Sequence, residues 1–132
     1  MSNMKEIREK VKHLKVLLVD DETEVLSVTL LFLHKFFKIV DTAKDGEEAL
    51  EKFKKKANYD IVISDIKMPK LTGWELAKAL KEIDKKIFIA AMTGSPEDKD
   101  ENIAYLDILF EKPVNINNMV LIMEMLIKEK EL

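Results

Sequence analysis

Five short apolar segments, each followed by a stretch of helical periodicity, constrain the fold of this chain more than any other feature. The segments are continuous rather than alternating, which is typical of strands buried on both faces of a parallel sheet. The alternation of strand and helix predicts an α/β fold, a doubly wound five-stranded parallel sheet with helices on both faces (flavodoxin-like). The predicted strands are 15–19, 38–41, 59–64, 87–92 and 107–110.

The composition argues against several classes of protein. The chain has 132 residues, enough for one domain with its own hydrophobic core. It has no cysteine, so a disulfide scaffold, a thiolate metal site and a cysteine nucleophile are excluded. Its 22 basic residues are scattered among 25 acidic ones, which argues against direct nucleic-acid binding. No apolar run is long enough for a membrane span or a signal peptide, and we therefore expect a cytoplasmic protein.

The first 14 residues precede the first predicted strand and have a pattern of their own. Apolar side chains recur there at helical spacing, at Met4, Ile7, Val11 and Leu14. We expect residues 1–14 to form an N-terminal helical extension and residues 15–132 to form the main domain. The extension would either pack on the edge of the domain or serve as a dimerisation or docking helix.

Capping residues predict where several helices begin. Four residues have the character of N-caps, namely Asp45, Thr72, Ser95 and Asn115. The first two are each followed three residues later by Glu, as in a capping box, and Ser95 is followed by Pro. We also expect a long helix over 24–37 after the first strand. Trp74, near the start of the helix that Thr72 caps, is expected to be partly exposed.

Polar side chains that could react or bind a ligand follow four of the five strands. Asp20 and Asp21 follow the first strand, Asp65 the third, Thr93 the fourth and Lys112 the fifth. Each residue alone has an ordinary structural explanation as a helix cap or a solvated side chain. In open α/β sheets, however, ligands bind beyond the carboxyl ends of the strands, and these residues would converge there.

The predicted cluster has the character of a phosphoryl-transfer site that holds a metal. Three carboxylates close together repel one another unless a cation lies among them. Oxygen ligands without His or Cys select Mg²⁺, Mn²⁺ or Ca²⁺ over zinc. Asp65 suits a covalent nucleophile, while the metal, Lys112 and Thr93 would stabilise the charge on the transferring phosphoryl group.

The motifs at these strand ends resemble those of the receiver domains of bacterial two-component response regulators. They occur in order over residues 15–130, as Leu-Val-Asp-Asp-Glu at 18–22, Ile-Ser-Asp-Ile-Lys-Met-Pro at 63–69, Leu-Thr-Gly at 71–73, Met-Thr-Gly at 92–94 and Glu-Lys-Pro at 111–113. Any one of them would be weak evidence. Their occurrence together, at successive strand ends, is a strong signal.

The resemblance implies specific roles for the residues of this site. Asp65 would become an aspartyl phosphate, with Thr93 and Lys112 in contact with the phosphoryl group. Mg²⁺, or Mn²⁺ in its place, would be held by Asp20, Asp21, Asp65 and the backbone carbonyl of Lys67, with Asp20 partly through water. A cis peptide bond before Pro113 would help to aim Lys112.

The resemblance also implies partners for such a domain. The phosphoryl donor would be a sensor histidine kinase or a phosphotransfer protein. The output would pass to a downstream target protein or to a covalently linked output domain. The chain would catalyse its own phosphoryl transfer and slow autodephosphorylation without turning over a separate substrate.

Three departures from the family pattern stand out. The aromatic residue usual three positions before the lysine is replaced by Leu109. The segment between Thr93 and Lys112 is about one helical turn shorter than expected, so the helix after Ser95 should be short or irregular. Lys67 and Ser95 occupy positions that flank the path of an attacking water, and the phosphoryl lifetime should depend on them.

Two other functions stay open on the sequence alone. A metal-dependent phosphatase with an aspartyl nucleophile would usually place two aspartates two residues apart after the first strand, whereas Asp20 and Asp21 are adjacent. A degenerate receiver that serves only as a protein-interaction module is argued against by the intact set of acids, threonine and lysine, although Leu109 keeps it open. The sequence leaves undecided whether the chain is a stand-alone receiver or one domain of a longer protein.

Overall fold

The computed structural model describes residues 3–56, 58–95 and 101–132 and confirms the predicted parallel sheet. Its five strands lie in the order β2-β1-β3-β4-β5, and every neighbouring pair is parallel. The strand that ends at Asp65 is therefore central, as a doubly wound order requires. The strands are β1 Lys15–Val19, β2 Ile39–Ala43, β3 Ile61–Asp65, β4 Phe88–Thr93 and β5 Ile108–Glu111.

The strand sequences are continuously apolar because helices cover both faces of the sheet. Alternate residues of β1 contact different cores: Val16 and Leu18 pack with α1, α2 and α5, while Leu17 and Val19 pack with α3 and α4. All four are fully buried, which stabilises the fold by roughly 1.5–3 kcal/mol for each large apolar side chain. The helices are α1 Met4–Val11, α2 Thr23–Leu33, α3 Gly46–Lys56, α4 Gly73–Ile83 and α5 Ile116–Glu129.

Three of the predicted N-caps are confirmed. The carboxylate of Asp45 accepts from the backbone N–H of Glu48, and the side chain of Asn115 accepts from that of Asn118. Thr72 and Glu75 form the reciprocal bonds of a full capping box. The helix predicted to begin at Ser95-Pro96 falls largely on residues 96–100, outside the described part of the chain. It is followed by a short 3-10 helix, Glu101–Tyr105.

The N-terminal helix packs against the domain. Ile7 and Val11 are buried with Leu14 in the same core as the inner face of α5. The apolar stripe of this segment is therefore used in packing within the chain.

Three expectations from the sequence were wrong. Helix α2 ends at Leu33 rather than at residue 37, because the chain turns to reach the edge strand β2, with the N–H of Phe37 bonded to the carbonyl of Leu33. β2 extends to Ala43, where pairing with β1 brings polar residues into an edge strand. Trp74 is buried rather than partly exposed.

Candidate functional site

The end of β1 places one buried and one exposed aspartate side by side. Asp20 is only 1% exposed, whereas Asp21 is exposed. The N–H of Asp20 donates to the carbonyl of Ala43 at the end of β2, and Asp20 Oδ1 accepts from the N–H of Glu22 at 3.0 Å. These bonds fix the Asp20 carboxylate at the carboxyl edge of the sheet, beside the first turn of α2.

Asp65 ends the central strand and is buried beside a lysine. Its carboxylate Oδ2 accepts a hydrogen bond from Lys112 Nζ at 3.0 Å. Burial raises the pKa of Asp65 above its ordinary value; the bond and charge of Lys112 oppose this rise, and the charge of Asp20 adds to it. A carboxylate in this setting gains from any further cation that approaches it.

Lys112 joins the separate strand ends into one cluster. Its ammonium lies 3.0 Å from Asp65 Oδ2, 3.3 Å from Asp20 Oδ2 and 3.9 Å from Glu22 Oε1. Burial by itself lowers the pKa of Lys112, but the bond and charge of Asp65 and the charge of Asp20 outweigh it, so that the pKa is raised. The lysine therefore carries a positive charge among these acids.

The backbone around Lys112 has the predicted cis peptide bond. The Lys112–Pro113 bond is cis, and the N–H of Lys112 donates to the carbonyl of Thr93 at 2.8 Å. This hydrogen bond holds the ends of β4 and β5 together.

Thr93 and Lys67 lie at the same edge of the sheet as this cluster. Thr93 is buried at the end of β4, where its hydroxyl donates to the carbonyl of Ser95 and accepts from the N–H of Ser95. Lys67 lies in the loop two residues beyond Asp65, with its side chain exposed. Lys67 is close in sequence to Asp65, and Thr93 is tied to Lys112 through the backbone.

Four carboxylates of this edge fit a hard divalent cation. One oxygen from each of Asp20, Asp21, Glu22 and Asp65 lies within 4.8 Å of all the others. Asp20 Oδ2 is buried, and although it is in ionic contact with Lys112, it has no hydrogen-bond partner among the described residues. A buried oxygen of this kind costs free energy unless a cation or donor satisfies it. The donor set is entirely oxygen, which suits Mg²⁺.

Glu22 is the member of this cluster that sequence reasoning missed. It directly follows Asp20 and Asp21 and ends the extended segment that leads into α2. The run of three acids was the signal, but only two of them were assigned to the site.

The loop after Asp65 is held tightly against the start of α4. The N–H of Gly73 donates to the carbonyl of Ile66 at 2.8 Å, and a Cβ atom at residue 73 would lie 2.4 Å from the carbonyl oxygen of Asp65. Lys70 has φ 69°, which lets the loop turn sharply between these points. Glycine at residue 73 therefore allows a contact that any side chain would prevent.

Comparison with known proteins identifies the family. The sequence model of the family described as response regulator receiver domain matches residues 16–124, which is most of the chain. The chain belongs to the response regulator receiver domain family. It is thus a domain of a signalling family in two-component systems and not a metabolic enzyme.

Individual relatives of this receiver domain include longer proteins that are named as regulators. It is 37% identical over 112 residues, 80% of this chain and 47% of the other, to a protein named transcriptional regulatory protein CpxR homolog from Haemophilus influenzae. The receiver domain spans only between 12% and 47% of the lengths of the curated relatives that it matches.

Solved receiver structures superpose closely on this one. The response regulator TrrA of Thermotoga maritima, solved in complex with Mg²⁺–BeF, has a TM-score of 0.75 at 30% identity, covering 86% of this chain and 98% of that one. A second structure is a complex of TrrA with the histidine kinase ThkA. Its matching chain has a TM-score of 0.74 at 31% identity, covering 86% of this chain and 97% of that one.

Among the described residues, no helix of this receiver domain is long and apolar enough to cross a membrane.

Proposed function

We propose that this receiver domain accepts a phosphoryl group on Asp65 in a Mg²⁺-dependent reaction and changes conformation to signal. The observation that carries the proposal is the pairing at the end of the central strand. There, buried Asp65 is bonded to Lys112, while Asp20 Oδ2, 3.3 Å from the same ammonium, has no hydrogen-bond partner in the described part of the chain. A nucleophilic carboxylate, a fixed cation and a place for a second cation are the components of phosphoryl transfer to aspartate.

Mg²⁺ would be held by Asp20, Asp21 and Asp65 together with the backbone carbonyl of Lys67. Mn²⁺ could take the same place, because it prefers the same oxygen ligands. When bound, the ion supplies positive charge that neutralises the oxygens of the phosphoryl group. The TrrA complex with Mg²⁺–BeF supports this choice of metal for a relative.

The carboxylate of Asp65 would attack the phosphorus atom of a phosphohistidine. The new bond joins a carboxylate oxygen of Asp65 to phosphorus, and the phosphorus–nitrogen bond breaks so that its electron pair stays on the imidazole. Lys112, which now bonds to the carboxylate, is placed to donate to a phosphoryl oxygen. The hydroxyl of Thr93 would turn from the carbonyl of Ser95 and donate to a second phosphoryl oxygen.

The donor would be a sensor histidine kinase or a phosphotransfer protein that docks beside Lys112. A cavity of about 220 Å³ lies there between α2 and the segment after β5, lined by Val25, Thr29, Met92, Lys112, Pro113 and Val114. Val28, which at 68% is one of the most exposed apolar residues in the described part of the chain, lines an adjoining cavity together with Pro113. This apolar surface is continuous with the site, and the ThkA–TrrA complex provides a relative bound to a kinase. The output would be a target protein or a linked output domain.

The division of the chain follows from the same proposal. Residues 15–132 would form the phosphorylatable domain and residues 1–14 an extension that braces α5. Slow autodephosphorylation would end the signal, and the chain would turn over no separate substrate.

The proposal is tested by intact-mass measurement after incubation with Mg²⁺ and acetyl phosphate. We expect one phosphoryl adduct, and none when EDTA is present throughout the incubation. The isosteric variant Asp65→Asn should give no adduct, whereas the matched control Asp84→Asn, at the far end of α4, should label like the wild type. A folded wild-type protein that takes up no phosphoryl group would instead support the interaction-only receiver. Continuous release of phosphate from a small phosphomonoester would support the phosphatase.

A further inference from the structure

A small apolar cluster lies between the phosphoacceptor loop and strand β5. Ile66, Trp74 and Ala91 are buried together, and Leu106 and Leu109 pack against them. Ile66 directly follows Asp65, and Leu109 lies three residues before Lys112. The cluster therefore touches the two segments that supply the bonded carboxylate and ammonium of the site.

Trp74 is by far the largest side chain of this cluster, and its neighbours on the sheet leave room for it. Ala91 of β4 pairs in register with Leu109 of β5 and with Ser64 of β3, so the row beneath the indole consists of small or medium side chains. Trp74 is only 6% exposed, which means that its ring fills the space above this row. The position where an aromatic residue was expected carries Leu109, and the bulk comes from α4 instead.

The backbone next to Trp74 is fixed to the phosphoacceptor loop. The N–H of Gly73 is bonded to the carbonyl of Ile66 at 2.8 Å, and the Cα of Gly73 has no room for a Cβ against the carbonyl of Asp65. Packed interiors are stiff and have few voids, so a shift of the Asp65–Ile66 backbone has to displace the first turn of α4. That turn carries the indole.

We propose that Trp74 is the positioning residue that couples phosphorylation of Asp65 to strand β5. Movement of the phosphoacceptor loop is transmitted through Gly73 to the indole, and from the indole to Leu106 and Leu109. The two states differ in how the indole packs against Leu109, and a target that distinguishes these packings reads the phosphoryl group. This inference rests on the proposed phosphorylation of Asp65.

Hydrogen exchange measured by mass spectrometry tests the coupling. Exchange of the peptide that contains residues 106–111 is compared before and after treatment with Mg²⁺ and acetyl phosphate, at equal phosphoryl occupancy. We expect exchange in the wild type to change severalfold and this change to be lost in Trp74→Leu, which keeps an apolar side chain but removes the ring. Trp74→Phe should restore part of the response, because it retains an aromatic ring.

A buried aromatic residue in the other core provides the matched control. Phe53 of α3 is 1% exposed, and its ring stacks on that of Tyr59, outside the Trp74 cluster. Phe53→Leu removes a ring from a cluster that shares Leu106 with the proposed path but contains neither the indole nor Leu109, so the response of residues 106–111 should survive. A response that is retained in Trp74→Leu, or equally lost in Phe53→Leu, would overturn the inference.

The fluorescence of the wild type gives a second, independent readout. Trp74 is the only tryptophan, so its emission reports the indole directly. We expect an intensity or wavelength shift on phosphorylation that is missing in Asp65→Asn. A phosphoryl adduct without any change in emission or in exchange at 106–111 would overturn the coupling and leave the proposed function intact. Absence of the adduct itself would remove both.

Discussion

Replacement of Gly73 by alanine would place a Cβ atom 2.4 Å from the carbonyl oxygen of Asp65 and 2.8 Å from the Cα of Ile66. Ordinary van der Waals contact begins near 3.4 Å, so α4 and the phosphoacceptor loop must separate by about 1 Å. Both obstructing atoms belong to the backbone, which means that no side-chain rotation relieves the clash.

The separation should cost about 1–3 kcal/mol, as is usual for an overpacked core site. Alanine offsets part of this cost, because it is a better helix former than glycine by up to about 1 kcal/mol in a helix interior. Gly73 is the first residue of α4, where the gain is smaller. A net loss of about 1–2 kcal/mol lowers the ratio of folded to unfolded protein by a factor of roughly 5–30.

Urea unfolding of Gly73→Ala and Gly94→Ala measures this effect. A Cβ at residue 94 would meet nothing within 4 Å, and neither glycine has a positive φ. Gly94→Ala should therefore change the free energy of unfolding by less than about 1 kcal/mol, while Gly73→Ala lowers the urea midpoint at an unchanged slope. Equal midpoints for the two variants would refute the close contact between α4 and the loop.

The same substitution tests the link between this contact and the chemistry. A displacement of about 1 Å at a reacting group can slow a reaction by about 10²-fold. Gly73→Ala should therefore label slowly with acetyl phosphate even under conditions where it is fully folded, whereas normal labelling would show that the Asp65 carboxylate tolerates the shift.

Three further predictions concern charge and capping. Without metal, the raised pKa of Asp65 means that the folded state keeps this proton to a higher pH than the unfolded state, so the contribution of Asp65 to stability falls as pH rises above about 4. Asp65→Asn should therefore raise the urea midpoint in EDTA at pH 7 more than it does at pH 4. A variant with a lower midpoint than the wild type at pH 7 would contradict this. Lys112→Met should abolish labelling by acetyl phosphate while Mg²⁺ still raises the melting temperature, because the acids remain; retention of full labelling would exclude the proposed role of the ammonium. Asn115→Ala should cost about 0.5–2 kcal/mol in urea unfolding through loss of the cap on α5, whereas exposed Asn117→Ala serves as a near-neutral control, and equal costs would argue against the cap.

Local patterns in the sequence determined the elements of this fold and which polar residues end its strands. Strand and helix periodicity gave five βα units, and capping residues gave three helix starts that the structure confirms. Parallel strands end at one edge of a sheet, so the polar residues after them had to converge there. Asp20, Asp65 and Lys112 could be named for this reason, because no knowledge of individual contacts is needed to place a strand end.

Only the tertiary structure decided how these residues meet. The bond between Lys112 and Asp65 joins residues 47 positions apart, and the placement of Asp20 Oδ2 3.3 Å from the same ammonium depends on the packing of three strand ends. Burial of Trp74 is equally non-local, because a helix pattern shows which face is apolar but not how closely a loop approaches its first turn. Local sequence fixes the direction of each side chain along its own element. The distances between elements follow from how all of them pack together, which no single segment encodes.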